Sequence, residues 1–136
     1  MIQKVTNATI YVKDQNEALR FYTECLGLEV RADQTLGDFR WLTVGTKGQP
    51  DFDLVLYALK ANDFSLNPDE VQMLTQLVES GKLGGAVLRA DDLQKTYEEL
   101  KGKGVEFLKP PTVEPYGTEA VFKDNSGNIF SLMQNK

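Results

Sequence analysis

The sequence has no histidine, a single cysteine and a single tryptophan. Without an imidazole there is no histidine general base, no Cys–His nucleophile pair, and the commonest protein ligand for zinc, nickel or iron is missing. Cys25 has no partner for an intramolecular disulfide, and residues 1–9 lack a charged-then-apolar leader, so the chain reads as cytoplasmic. Cys25 lies in a helical pattern beside Leu26 and is expected to act as a small buried apolar residue. No apolar run approaches the ~20 residues a membrane span requires. Basic residues are the minority, 15 Lys and Arg against 20 Asp and Glu, for a net charge of −5. A nucleic-acid partner would demand the opposite, a basic stripe. The acidic balance suits a cationic ligand or simply solubility.

What is present is an ordinary globule of 136 residues, 41% hydrophobic and 26% charged. A chain of this size buries roughly two-thirds of the surface it exposes when unfolded. Residues 5–13 are β-rich. Asp14 then offers an N-cap, with Glu17 in the capping-box position. Ala18, Leu19, Tyr22 and Leu26 recur on one face of a helix over 16–26, which Gly27 ends. Strands are expected over 28–32, 39–44 and 53–59, the last two separated by the turn 45–50. Asn67, Pro68, Asp69 and Glu70 open a further helix with an apolar stripe of Val71, Leu74, Leu77 and Val78, stopped by Gly81.

The pattern then restarts. A strand over 85–90 leads to the capping pair Asp91 and Asp92, a helix bearing Leu93, Tyr97 and Leu100, and strands over 105–108, 119–123 and 129–133. Asp14 maps to Asp92 (92 − 14 = 78), and Leu19 to Tyr97, Leu42 to Ala120, Val44 to Phe122 and Phe52 to Phe130 at the same shift. This is an internal repeat of one strand–helix–three-strand unit. The segment 124–128 precedes a strand rather than a helix, so it is a turn and not a phosphate loop.

Three stretches carry a family likeness. They are V-K-D-Q-N-E-A-L-R-F-Y-T-E-C-L-G-L-E-V at 12–30, F-R-W-L-T-V at 39–44, and Y-G-T-E-A-V-F-K-D-N-S-G-N-I-F-S-L at 116–132. Together with the duplicated order they resemble the vicinal oxygen chelate superfamily of glyoxalases, extradiol dioxygenases, fosfomycin-resistance enzymes and bleomycin-binding proteins. The resemblance implies an α+β fold in which two tandem βαβββ units form a cup-shaped mixed sheet. It implies one domain over 1–136, with unit one at 1–59, a connector helix at 67–81 and unit two at 82–136. Active members place metal ligands at four cup positions, which fall here on Asn7, Asp53, Gly85 and Ser131. Only Asp53 is an ionisable ligand type, whereas transition-metal sites want three or more His, Cys or carboxylate donors. No metal and no other cofactor is therefore expected.

Strand alternation sorts the remaining cup residues. With Asn7 facing inward, so do Thr9 and Tyr11, leaving Ile10 and Val12 for the core. Asp53 brings Tyr57 with it, Trp41 alternates with Leu42, and Arg89, Glu119 and Ser131 complete the second half. The expected ligand-binding set is Asn7, Tyr11, Trp41, Asp53, Tyr57, Arg89, Glu119 and Ser131, aromatic walls with a few polar groups. Trp41 suits packing as well as ligand stacking. Arg89 suits an ion pair with Glu119 or Asp53 as well as a ligand contact, since buried charges are normally paired. The resemblance points to a metal-free small-molecule binding protein that pairs as a homodimer, with no nucleic-acid or membrane partner. Three alternatives stay open. One is a metal-independent isomerase or lyase using Asp53 or Glu119. Another is a divergent glyoxalase- or dioxygenase-like metalloenzyme. The last is a structural module whose cup is filled by its own side chains. Catalytic residues are not assigned.

Overall fold

The computed structural model describes residues 1–63 and 65–135. Each repeat forms one four-stranded mixed sheet, and the chain divides into two compact units, Met1–Gln76 and Leu77–Lys136. In unit one the strands are β1 (Asn7–Val12), β2 (Glu29–Leu36), β3 (Phe39–Gly45) and β4 (Asp53–Ala58), in the order β1-β4-β3-β2. In unit two they are β5 (Val87–Arg89), β6 (Glu106–Glu114), β7 (Gly117–Lys123) and β8 (Ile129–Asn135), in the order β5-β8-β7-β6. The first and last strands of each unit run parallel and the other pairs antiparallel. The α+β reading with two tandem βαβββ units is the observed architecture.

Helix α1 (Gln15–Arg20) starts where the capping signal says, with the Asp14 carboxylate accepting the Glu17 N–H at 2.9 Å. The expected single helix ends instead in a π-helical turn, Phe21–Cys25, closed by the Leu28 N–H on the Tyr22 carbonyl. This wider turn keeps Phe21 and Tyr22 both buried. Helix α2 (Pro68–Glu79) carries a reciprocal box. Asn67 Oδ1 accepts the Glu70 N–H at 2.8 Å, and Glu70 Oε1 accepts the Asn67 N–H at 2.9 Å. Helix α3 (Leu93–Gly102) is capped by Asp92, the repeat counterpart of Asp14.

The hairpin strands run further than hydrophobic alternation suggests. β2 extends to Leu36, and β6 to Glu114 through Pro110 and Pro111. Both lie at sheet edges, where a missing N–H is tolerated. The core residues match the alternation: Ile10, Val12, Leu42, Val44, Leu54 and Leu56 in unit one, and Ala120, Phe122, Phe130 and Leu132 in unit two, are buried. The Phe122 and Phe130 rings stack at 5.4 Å. Cys25 is half-buried.

The turn before β8 is organised by one buried carboxylate. Asp124 Oδ1 accepts the N–H groups of Ser126, Gly127 and Asn128, each at 2.9 Å, and Oδ2 accepts Asn128 Nδ2 at 2.9 Å. Gly127 has φ +116°, and a Cβ there would stand 2.5 Å from the Val78 carbonyl oxygen. Because the carboxylate that gathers these four donors would be lost, leaving Gly127 only its 3.3 Å bond to the Asp124 carbonyl, Asp124→Ala should destabilise the chain by about 3 kcal/mol in urea denaturation. A loss under about 1 kcal/mol would mean the turn is held by its glycine alone.

Candidate functional site

The structure brings the expected residues together in pairs. In unit one Asn7 lies opposite Asp53 and Tyr11 opposite Tyr57, with the two tyrosine rings edge to face at 5.6 Å. Trp41 is half-buried on β3, opposite Gln34 of β2. In unit two Ser131 donates its hydroxyl to Glu119, while Arg89 is exposed at the edge strand opposite Met133. Within unit two, Arg89 forms no ion pair with Glu119 among the described residues. Asp53 and Glu119 already have cations of their own, carried on the strand that the sequence reading left out of the site.

Arg31 is the cation of unit one. Its Nη1 meets Asp53 Oδ1 at 3.0 Å and the Pro50 carbonyl at 3.1 Å, and its Nε meets Glu29 Oε2 at 3.0 Å. Its Nη2 donates to the Thr46 carbonyl and, at 3.2 Å, to that of Gln49. Gly45 makes the room, since a Cβ there would lie 2.9 Å from the guanidinium carbon. Thr43 donates to the other Asp53 oxygen at 3.3 Å. Lys109 is the cation of unit two, with Nζ 2.8 Å from Glu114 Oε1 and 3.0 Å from Glu119 Oε1. Each cation sits at an irregularity in its strand pairing, between Val30 and Ala32 and around Lys109, but the two are not repeat counterparts: Ala32 pairs with Thr43 as Lys109 pairs with Val121, so the hairpin strands match at a shift of 77 (109 − 32) and Arg31 aligns with Leu108. A bulge re-aims the side chain it carries. The shift that aligned the helix caps therefore carries no signal for these cations.

Glu119 also accepts the Tyr116 hydroxyl at 3.0 Å. Hydrogen bonds from Ser131, Lys109 and Tyr116, in that order of effect, hold its carboxyl below the usual range. The same contact raises Tyr116, and Glu114 with Glu119 raises Lys109. Glu119 is thereby held in its ionised form at neutral pH, which makes it a poor proton acceptor.

The pairing register corrects the mapping of the second half. Ser131 lies between Val87 and Val121, as Val55 lies between Thr9 and Thr43. The flanking strands keep the 78-residue shift (87 − 9 and 121 − 43), but the last strand takes 76 (131 − 55). A two-residue slide keeps Ser131 on the expected face but moves it away from Gly85, which precedes β5. Asn7 and Asp53 are neighbours; Gly85 and Ser131 are not. A family-type metal does not fit these donors. Asp53 is already engaged by a guanidinium, and among the described residues no group of three His, Cys, Asp or Glu side chains is placed to hold an ion.

Unit one also contains a cleft of about 350 Å³ at the far end of its sheet, lined by residues of the β2–β3 turn, the end of β4 and the start of α1. Tyr57 is the expected site residue that lines it; Phe39, Arg40 and Lys60 were not anticipated. The Phe39 and Tyr57 rings are 5.6 Å apart.

Tandem βαβββ sheets of this order define the glyoxalase type of fold. The chain belongs to the Glyoxalase/Bleomycin resistance protein/Dioxygenase superfamily, whose family model matches residues 4–132. It is 33% identical to the uncharacterized protein YetH of Bacillus subtilis (strain 168) over 135 residues, 98% of this chain and 100% of YetH. Among solved structures it is similar to UcmS2, at 42% identity and TM-score 0.91, covering 98% of both chains. It is also similar to TnmS3, an antibiotic binding protein from Streptomyces sp. CB03234, at 32% identity and TM-score 0.78, covering 99% of this chain and 98% of that one. No helix among the described residues is long and apolar enough to cross a membrane.

Two measurements test the internal ion pairs. Arg31→Met should cost about 3 kcal/mol in urea denaturation because it strands Asp53, and adding Asp53→Asn should recover part of that loss. Additive losses would show that the pair is not coupled. Glu119 contributes stability that is fully present above the ordinary carboxylate pKa and lost as pH falls through its depressed folded value. Glu119→Gln should therefore flatten the decline in stability below about pH 4.5, and an acid limb parallel to wild type would refute the assignment.

Proposed function

We propose that the chain is a small-molecule binding protein that retains its ligand without reacting with it. The observation that carries this reading is the pre-neutralised state of both candidate acids. Asp53 is bound by Arg31 and Glu119 by Lys109, Tyr116 and Ser131. Neither carboxylate is placed to accept a proton or a metal without breaking those bonds, while holding a ligand asks nothing of the kind. The likeness to an antibiotic binding protein over nearly the full length supports the same reading. On this proposal residues 1–136 act as one domain, a homodimer in the cytoplasm. Asn7, Tyr11, Trp41, Asp53, Tyr57, Arg89, Glu119 and Ser131 are its ligand-contacting set. Tyr11, Trp41 and Tyr57 supply apolar faces, which favours a partly aromatic ligand.

A thermal-shift screen of aromatic antibiotics tests it. A true ligand at a hundred times its Kd adds about 2.7 kcal/mol and raises Tm by several degrees. Mass spectrometry of the recovered ligand should show it unchanged. Conversion that disappears in Asp53→Asn or Glu119→Gln would replace this reading with a metal-independent enzyme.

A further inference from the structure

Resting on that reading, we infer that the cleft of unit one is a site for a planar aromatic ligand bearing an anionic oxygen, with Lys60 as the residue that selects the charge. The volume, about 350 Å³, is that of a small-molecule pocket. Its aromatic wall is fixed in advance. Tyr57 packs edge to face on Tyr11 and tilted against Phe39, each at 5.6 Å, and its hydroxyl is hydrogen-bonded to Ser65. A ring held from two sides and at its tip loses little freedom when a ligand stacks on it.

The charges of the lining differ in what they have left to offer. Arg40 is spent: it forms a two-pronged contact with Asp33 at 2.8 and 2.9 Å and donates to Asn16 at 2.7 Å. Gln15 is spent on the Leu56 and Arg40 carbonyls at 2.8 and 3.2 Å. Lys60 is exposed, and among the described residues its ammonium reaches only the Asp38 carbonyl, at 3.4 Å. That long contact to a neutral acceptor is readily exchanged for a ligand carboxylate or phenolate. Arg40's charge is answered by Asp33, which leaves Lys60 as the lining cation that a ligand anion can engage. An anion on the ring edge would meet Lys60 at short range, as a charge-assisted hydrogen-bond partner.

Amide-resolved NMR titration with salicylate, salicylamide and benzamidine tests the site. Salicylate should shift amides within 35–40 and 57–62 and bind more tightly than either of the other two. Lys60→Met, a surface change that leaves the fold intact, should weaken salicylate about threefold to fivefold and leave salicylamide unaltered. Tyr57→Leu should weaken both, with its spectrum dispersion reporting on folding. Equal affinity for the three probes, or unchanged salicylate binding in Lys60→Met, overturns the inference. Antibiotics that stabilise the chain while shifting only amides of β7 and β8 would also overturn it, yet leave the proposed function standing. Salicylate binding here with no antibiotic stabilising the chain would support this site and remove the broader reading.

Discussion

An acid on the inner strands of each sheet is met by a cation that reaches it from the hairpin strand. Burying a carboxylate even partly costs several kcal/mol unless a counter-ion and hydrogen bonds replace its water. Arg31 does this for Asp53, and Lys109, helped by Tyr116 and Ser131, does it for Glu119. Both cations depend on a break in strand pairing to point the right way, and Arg31 depends further on the missing side chain of Gly45. The pairing irregularity and the ion pair recur in both sheets, while the glycine serves Arg31 alone.

That device limits the chemistry open to the chain. A guanidinium against Asp53 supplies the positive charge that a divalent ion would otherwise bring, but with fixed geometry and no open coordination position. An acid that accepts three hydrogen bonds in its ionised form is equally reluctant to take a proton. What remains for a ligand is shape, aromatic surface and the groups not yet committed. Tyr57 and Lys60 stand out on that account, because the arginine and glutamine beside them are consumed by the fold.

The two halves also show how a duplicated sheet diverges. The caps and the strands β1/β5 and β3/β7 keep the 78-residue shift, the hairpin strands β2 and β6 take 77, and β8 has slipped by two residues against its neighbours. An odd slip would have turned Phe130 and Leu132 outward; an even one preserves the core and changes only which side chains meet. The short three-residue β5 and the distance between Gly85 and Ser131 follow from it.

The sequence by itself determined the duplicated α+β architecture, the capped starts of all three helices, the buried faces of the inner strands and the shortage of metal donors. These are local or periodic properties, written in capping residues, in two-residue alternation and in the absence of histidine. The tertiary structure alone decided which cation meets which acid, how β8 is registered, and that a cleft opens beside Tyr57. Each of these depends on a bulge, a slide or a long side chain crossing between strands. None leaves a periodic trace, because side chains far apart in the chain choose partners by position in space.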